Sequence, residues 1–178
     1  VLSEHSEYAV IEADEFDRSF HQLLPYIAVV TSTDADHLDI YGTEEAYLES
    51  FAHFTSLVQP GGALIAKKGI KMQPRVAADV RLYSYSTDEG DFHAENIRIG
   101  DGRIVFDFIA PDGRVDDVEL GVPVVINIEN AIAAMSVAWL CGVSGNDMRR
   151  AIASYMGAKR RFEFWLRTPQ RVMIDDYA

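Results

Sequence analysis

Cysteine is almost absent from this chain of 178 residues: Cys141 stands alone. That rules out an internal disulfide and fits a reducing compartment, the cytoplasm. The thiol lies in the apolar stretch Ala138-Trp-Leu-Cys141, where a packed core group is a simpler reading than a nucleophile. Positive charge is scarce as well. Sixteen Lys and Arg face 28 Asp and Glu, a formal net charge of -12, which argues against a broad basic footprint for nucleic acid or an anionic membrane. A nucleotide remains compatible, because magnesium and a few local arginines can neutralise its phosphates. No apolar run approaches the ~20 residues of a helical membrane span. The first seven residues, Val1 to Glu7, carry no basic n-region and no apolar h-region, so they do not read as a signal peptide. An initiating Met is lacking and the chain stops abruptly after Asp175-Asp176-Tyr177, so we expect a piece of a longer protein.

What is present suits one globular domain with a sizeable core: 48% of residues are hydrophobic and 25% charged. The most informative feature is a pair of acidic strand ends. Tyr8-Ala-Val-Ile-Glu12 runs into Ala13-Asp14-Glu15, and Ile27-Ala-Val-Val-Thr31 runs into Asp34-Ala-Asp36-His37-Leu-Asp39. Short β-branched runs of this kind predict buried parallel strands. In open α/β sheets, ligands bind beyond the carboxyl ends of the strands. Glu, Asp and His gathered there offer oxygen ligands and one imidazole to a divalent cation, and magnesium bridging nucleotide phosphates is the commonest use. A bland alternative is that charged residues merely open solvated loops, but the clustering recurs.

Further along, Thr43 predicts a helix cap with Glu44 and Glu45 in the first turn, and Tyr47, Phe51, Phe54 and Val58 follow at helical spacing until Pro60-Gly-Gly62. Ala63-Leu-Ile-Ala66 reads as another buried strand. The order strand, helix, strand predicts an α/β fold, a mostly parallel sheet flanked by helices. From about 80 to 126 the chain breaks into short alternating runs split by Asp88-Glu-Gly90, Gly100-Asp-Gly102 and Pro111-Asp-Gly113. This predicts a small antiparallel β excursion. A helix then begins at Asn127 and ends at Gly142, and Ser144 caps a second, with Met148, Ile152 and Tyr155 facing inward. The basic spot Lys159-Arg160-Arg161 precedes a final strand, Arg171-Val-Met-Ile174.

Five segments together resemble the central ATP-binding domain of the Mur ligases, a P-loop NTPase-like fold. They are Glu12-Ala-Asp-Glu-Phe-Asp17, Ala35-Asp36-His37-Leu38-Asp39, Asn127-Ile-Glu-Asn130-Ala-Ile-Ala-Ala134, Gly157-Ala-Lys-Arg160-Arg161-Phe162-Glu163 and Ile174-Asp175-Asp176-Tyr177-Ala178. The resemblance implies an enzyme, an ATP-dependent ligase of peptidoglycan synthesis. The branch it fits best joins L-alanine to the lactyl carboxylate of UDP-N-acetylmuramate through an acyl phosphate, with ATP and Mg2+ as cofactors. It implies metal binding by Glu12 and His37, which double as the catalytic pair, and nucleotide binding by Asn127, Asn130, Arg161 and Asp176. As a ligand His37 is neutral, with Asp36 or Asp39 available to orient its ring. An Asn amide suits an adenine edge, a guanidinium suits phosphate and a carboxylate suits ribose hydroxyls. Asn127 reads equally as a helix cap. The roles of Asp14, Glu15 and Arg160 stay open.

Departures from the family pattern are informative. Several Mur ligases place a carbamylated lysine where this chain has Phe51, which favours the L-alanine-adding branch. Ile126 stands where many relatives carry His. No Gly-x-x-Gly-Lys-[Ser/Thr] loop occurs anywhere in the chain. Residues 1–178 are therefore expected to be one partial central domain, with the phosphate loop, the N-terminal UDP-binding domain and the C-terminal domain outside it, and to be inactive alone. Two other readings compete: a recycling ligase that joins a ready-made tripeptide to the same sugar nucleotide, and a non-catalytic binding module. Oligomeric state is not legible.

Overall fold

A computed structural model describes residues 7–177. The backbone divides into two compact units: Val1–Leu64 with Gly69–Leu82, and Ile65–Lys68 with Tyr83–Ala178.

The first unit opens without the expected strand. Residues 8–12 form no regular element, the first strand among the described residues being β1 (Ile27–Val30), and Val10 is 95% exposed. β-propensity reports packing on a pleated surface as much as backbone preference, so a β-branched run alone does not make a strand. A 3-10 turn, Ser19–Gln22, then leads to β1 (Ile27–Val30). The short helix α1 (Leu38–Tyr41) begins directly after His37, a turn that the strand pattern does not signal. Helix α2 (Glu44–Ser56) follows as expected, with the Thr43 hydroxyl accepting the Ala46 N–H at 3.2 Å. Gly62 admits a close approach: a Cβ there would meet the Tyr26 carbonyl oxygen at 2.2 Å. The chain can therefore turn tightly into β2 (Ala63–Lys67).

Strands β1, β2 and β3 (Arg81–Tyr85) form one sheet in that order. Its ladder is parallel: the Ala63 N–H donates to the Tyr26 carbonyl and the Arg81 N–H to the Gly62 carbonyl. The core of the first unit joins Phe20, Ala28, Val30, Phe54, Val58 and Leu64. Phe51 is half-buried beside it, with ring centroids 5.3 Å from Phe20 and 4.9 Å from Tyr47. It acts as packing. Phe51→Ala should cost about 2 kcal/mol, below the range of a fully buried Phe, which urea unfolding of the variant would measure. No loss of stability would remove Phe51 from the core.

The antiparallel excursion belongs to the second unit and starts later than expected, because β3 joins the parallel sheet. It consists of β4 (His93–Gly100), β5 (Arg103–Ala110) and β6 (Gly113–Glu119), paired in order. The register slips between Glu95 and Arg98 and again between Phe106 and Phe108. Asp107 lies between Phe106 and Phe108 with 5% exposure. Its carboxylate accepts from Asn96 Nδ2 at 2.7 Å, the Asp117 N–H at 2.9 Å and Arg114 Nη2 at 3.0 Å, with Arg98 Nη2 at 3.7 Å. Asn96 and Asp117 both have positive φ, 49° and 56°. A single buried carboxylate thus pins residues bent by both irregularities.

Helix α3 (Ile126–Leu140) and helix α4 (Gly145–Ser154) pack on this sheet. Ser144 caps α4 as expected, accepting the Asp147 N–H at 3.2 Å. Met148 is buried, Ile152 half-buried, but Tyr155 is exposed, because the helix ends at Ser154 and the chain turns extended. Trp139 of α3 lies against Gly113 and donates its indole N–H to Asp112 at 2.9 Å. A hairpin of β7 (Glu163–Arg167) and β8 (Val172–Asp175) follows, with Trp165 67% exposed. Strand β8 is the expected final strand, and β7 is an addition to it.

Candidate functional site

In the first unit, the two acidic segments meet around His37. This residue precedes α1 with φ 51°, a left-handed conformation, and its N–H donates to Asp36 Oδ1 at 2.7 Å. Its ring lies between two carboxylates: Nε2 is 3.8 Å from Glu15 Oε1 and Nδ1 is 3.8 Å from Asp36 Oδ1. Phe16 meets the same ring edge-on at 5.0 Å between centroids. Beside them a cavity of about 350 Å³ is lined by Glu15, Asp34 and Asp36 on its polar side and by Tyr47, Phe51 and Phe54 on its aromatic side. Burial, followed by the negative field of Glu15, Tyr41, Asp36 and Asp34, pushes the Tyr47 phenol up to about 12.

These donors fit a divalent cation of the Mg2+ type, which keeps water or phosphate oxygens in most of its shell and asks the protein for one or two groups. Among the described residues no three His, Cys, Asp or Glu side chains converge into a full cage. The expected ligands behave differently from one another. His37 sits in the cluster. Glu12 is exposed and its carboxylate makes no hydrogen bond or ion pair among the described residues. The carboxylate facing the imidazole is Glu15, three positions later, where the extended run has turned. The acidic run contains Glu15 but leaves its role open, and the structure sets its carboxylate beside the imidazole. Asp14 acts locally, its carboxylate accepting the Phe16 N–H at 2.9 Å.

The second unit holds the remaining candidates. Asn127 and Asn130 lie on one face of α3, as their spacing implied, and touch: Asn130 Nδ2 donates to Asn127 Oδ1 at 3.2 Å. Asn127 in turn donates to the Val122 carbonyl at 3.1 Å. It is not the helix cap, a position that falls on Val125 with no side-chain hydrogen bond. Asn130 is exposed, with its amide oxygen and one N–H left to offer. Between them in sequence, Glu129 pairs with Lys67 at 2.8 Å. Ile126 is exposed.

Near the chain end, Asp176 accepts the Phe162 N–H at 3.1 Å, and the Tyr177 N–H donates to the Arg160 carbonyl at 2.7 Å. These bonds hold the turn that presents Arg161, whose guanidinium is exposed and has no carboxylate partner among the described residues. Arg160 lies over the Tyr177 ring at 4.9 Å, which gives it a packing role of its own.

The Mur ligase middle domain model matches residues 1–138. The chain belongs to the Mur ligase family. Its fold agrees: UDP-N-acetylmuramate-alanine ligase from Thermotoga maritima superposes with TM-score 0.77 over 93% of this chain and 38% of that one, at 20% identity. A MurF ligase from the same organism, solved with ADP, gives TM-score 0.63 over 85% of this chain and 35% of that one, at 17% identity. In sequence this Mur ligase chain is 59% identical to UDP-N-acetylmuramate–L-alanine ligase of Phocaeicola vulgatus and 60% identical to that of Parabacteroides distasonis. Each alignment covers the whole chain and 39% of the relative. The chain therefore spans about two fifths of the length of the curated relatives it matches.

Proposed function

We propose that this Mur ligase chain is the central, ATP-binding part of a ligase that joins L-alanine to the lactyl carboxylate of UDP-N-acetylmuramate in peptidoglycan synthesis. The observation that carries the reading is the identity of 59–60% to two L-alanine ligases along the full chain. The site residues agree with it in kind. ATP is the phosphoryl donor in this proposal, Mg2+ supplies charge neutralisation when bound, and the carboxylate activated as an acyl phosphate is attacked by the alanine amine.

The chain's own residues position the reacting groups, which is what phosphoryl transfer asks of a protein. His37, with Glu15 and Asp36 at its two ring nitrogens, and Glu12 make up the cation side. Asn130, steadied by Asn127, offers the donor and acceptor that an adenine edge requires. Arg161 provides a fork for phosphate, and Asp176 a carboxylate for ribose hydroxyls while it also holds the turn. Phe51 leaves no lysine to carbamylate at that helix position, in keeping with the alanine-adding branch. We place the phosphate loop, the UDP-binding domain and the amino-acid pocket outside residues 1–178, and the isolated chain should not catalyse ligation.

Phosphate release by the full-length protein, given Mg-ATP and UDP-N-acetylmuramate, tests this. Release with L-alanine is the expected result. Release only with the cell-wall tripeptide would move the protein to the recycling branch, and silence with both would leave a binding module.

A further inference from the structure

We propose that the Tyr41 hydroxyl is a positioning group that sets the spacing between the Glu12–Asp17 loop and His37. The proposal rests on reading His37 and its carboxylate neighbours as a cation site, and it adds a residue that neither the motifs nor the family resemblance single out.

Tyr41 is tied to both sides. Toward His37 the tie is one helical turn: the Tyr41 N–H donates to the His37 carbonyl at 3.1 Å. Toward the loop it is the side chain: the Tyr41 hydroxyl donates to the Glu15 main-chain carbonyl. That carbonyl also accepts the Arg18 N–H at 3.1 Å, closing the turn after Glu15. The Arg18 guanidinium lies over the Tyr41 ring at 5.0 Å, a second grip on the same turn. The ring itself is fixed. Tyr41 is 5% exposed and packs edge-on against Tyr47, with centroids 4.9 Å apart. Tyr47 continues to Phe51 of the core.

Glu15 and Phe16, which flank the His37 ring, are therefore borne by a turn whose position is set from α1. Without the hydroxyl, the Glu15 carbonyl keeps only its local bond and the turn can shift relative to His37. Groups outside the first ligand set influence metal sites by fixing ligand orientation. A hydroxyl that acts through the main chain does so without touching the cation.

The test uses the full-length protein and its Tyr41→Phe variant, which keeps the ring and its packing. Mn2+ is the probe, with binding followed by water-proton relaxation well below the melting temperature. The expected result is about tenfold weaker Mn2+ binding in Tyr41→Phe, in the range for lost outer-shell partners. Turnover should recover toward wild type at saturating Mg2+, a rescue that a purely structural loss would not permit. Unchanged Mn2+ affinity would overturn the proposal. Failure of the wild type to bind Mn2+ at all would instead defeat the cation reading. The tie is then decided by hydrogen exchange at the Arg18 amide, where faster exchange in Tyr41→Phe upholds it and an unchanged rate overturns it.

Discussion

His37→Asn in the full-length protein should lower turnover by on the order of 10²–10³-fold, the rate equivalent of several kcal/mol of charge stabilisation supplied through a bound cation. Asparagine is the right replacement because His37 holds φ 51°. Alanine in that left-handed region would add strain of about 1 kcal/mol or more and confuse loss of a ligand with loss of structure, whereas Asn tolerates it. The melting temperature should barely move, since the ring is only half-buried and its contacts are one edge-on aromatic contact with Phe16 and two long approaches, 3.8 Å each, to Glu15 and Asp36. Glu12→Ala should show the same separation of activity from stability, because the Glu12 side chain is exposed. Near-normal turnover in either variant would remove that residue from the cation side and shift the weight to Glu15.

Asp107→Asn should destabilise the second unit by about 3 kcal/mol, the scale for breaking a buried charged network on one side. Three donors within 3.0 Å converge on this carboxylate, and an amide would turn one acceptor into a fourth donor. The effect has a pH signature. Burial raises the carboxyl, but the hydrogen bonds from Asn96 and Asp117 and the Arg98 and Arg114 charges outweigh it, so its pKa lies below the ordinary carboxylate value. A depressed folded-state pKa contributes stability that is present above the unfolded value, near 4, and is lost as pH falls through the folded value. Urea unfolding at pH 7 should therefore show the full gap between wild type and variant, and the gap should close as pH is lowered below about 4. A gap that persists unchanged in acid would mean that the ionised carboxylate is not what matters there.

Much of this is legible in the sequence, for identifiable reasons. Helix α2 announces itself through Thr43, two glutamates and an aromatic repeat, and α4 through Ser144. The spacing of Asn127 and Asn130 puts them on one face, and their side chains do meet. What escapes depends on contacts that spacing does not encode. Residues 8–12 have strand propensity, yet the first strand among the described residues is Ile27–Val30. Alternation sends Asp107 to the solvent side of β5, while the slipped register and the convergence of Arg98, Arg114 and Asn96 bury it. Glu15 faces the imidazole only because the chain turns at Phe16, and nothing in the spacing of Tyr41 signals its hydrogen bond to the Glu15 carbonyl.

Both tryptophans of the chain, Trp139 and Trp165, fall in the second unit. Emission excited at their absorption edge therefore comes from the second unit, whereas His37 and Glu15 sit in the first. The two indoles also differ as reporters. Trp139, half-buried against Gly113 and hydrogen-bonded to Asp112, should emit to the blue and resist acrylamide. Trp165, mostly exposed on β7, should emit to the red and be quenched first. A quencher titration thus resolves the hairpin from the helical layer of one unit, and changes near His37 call for tyrosine absorbance or a paramagnetic probe instead.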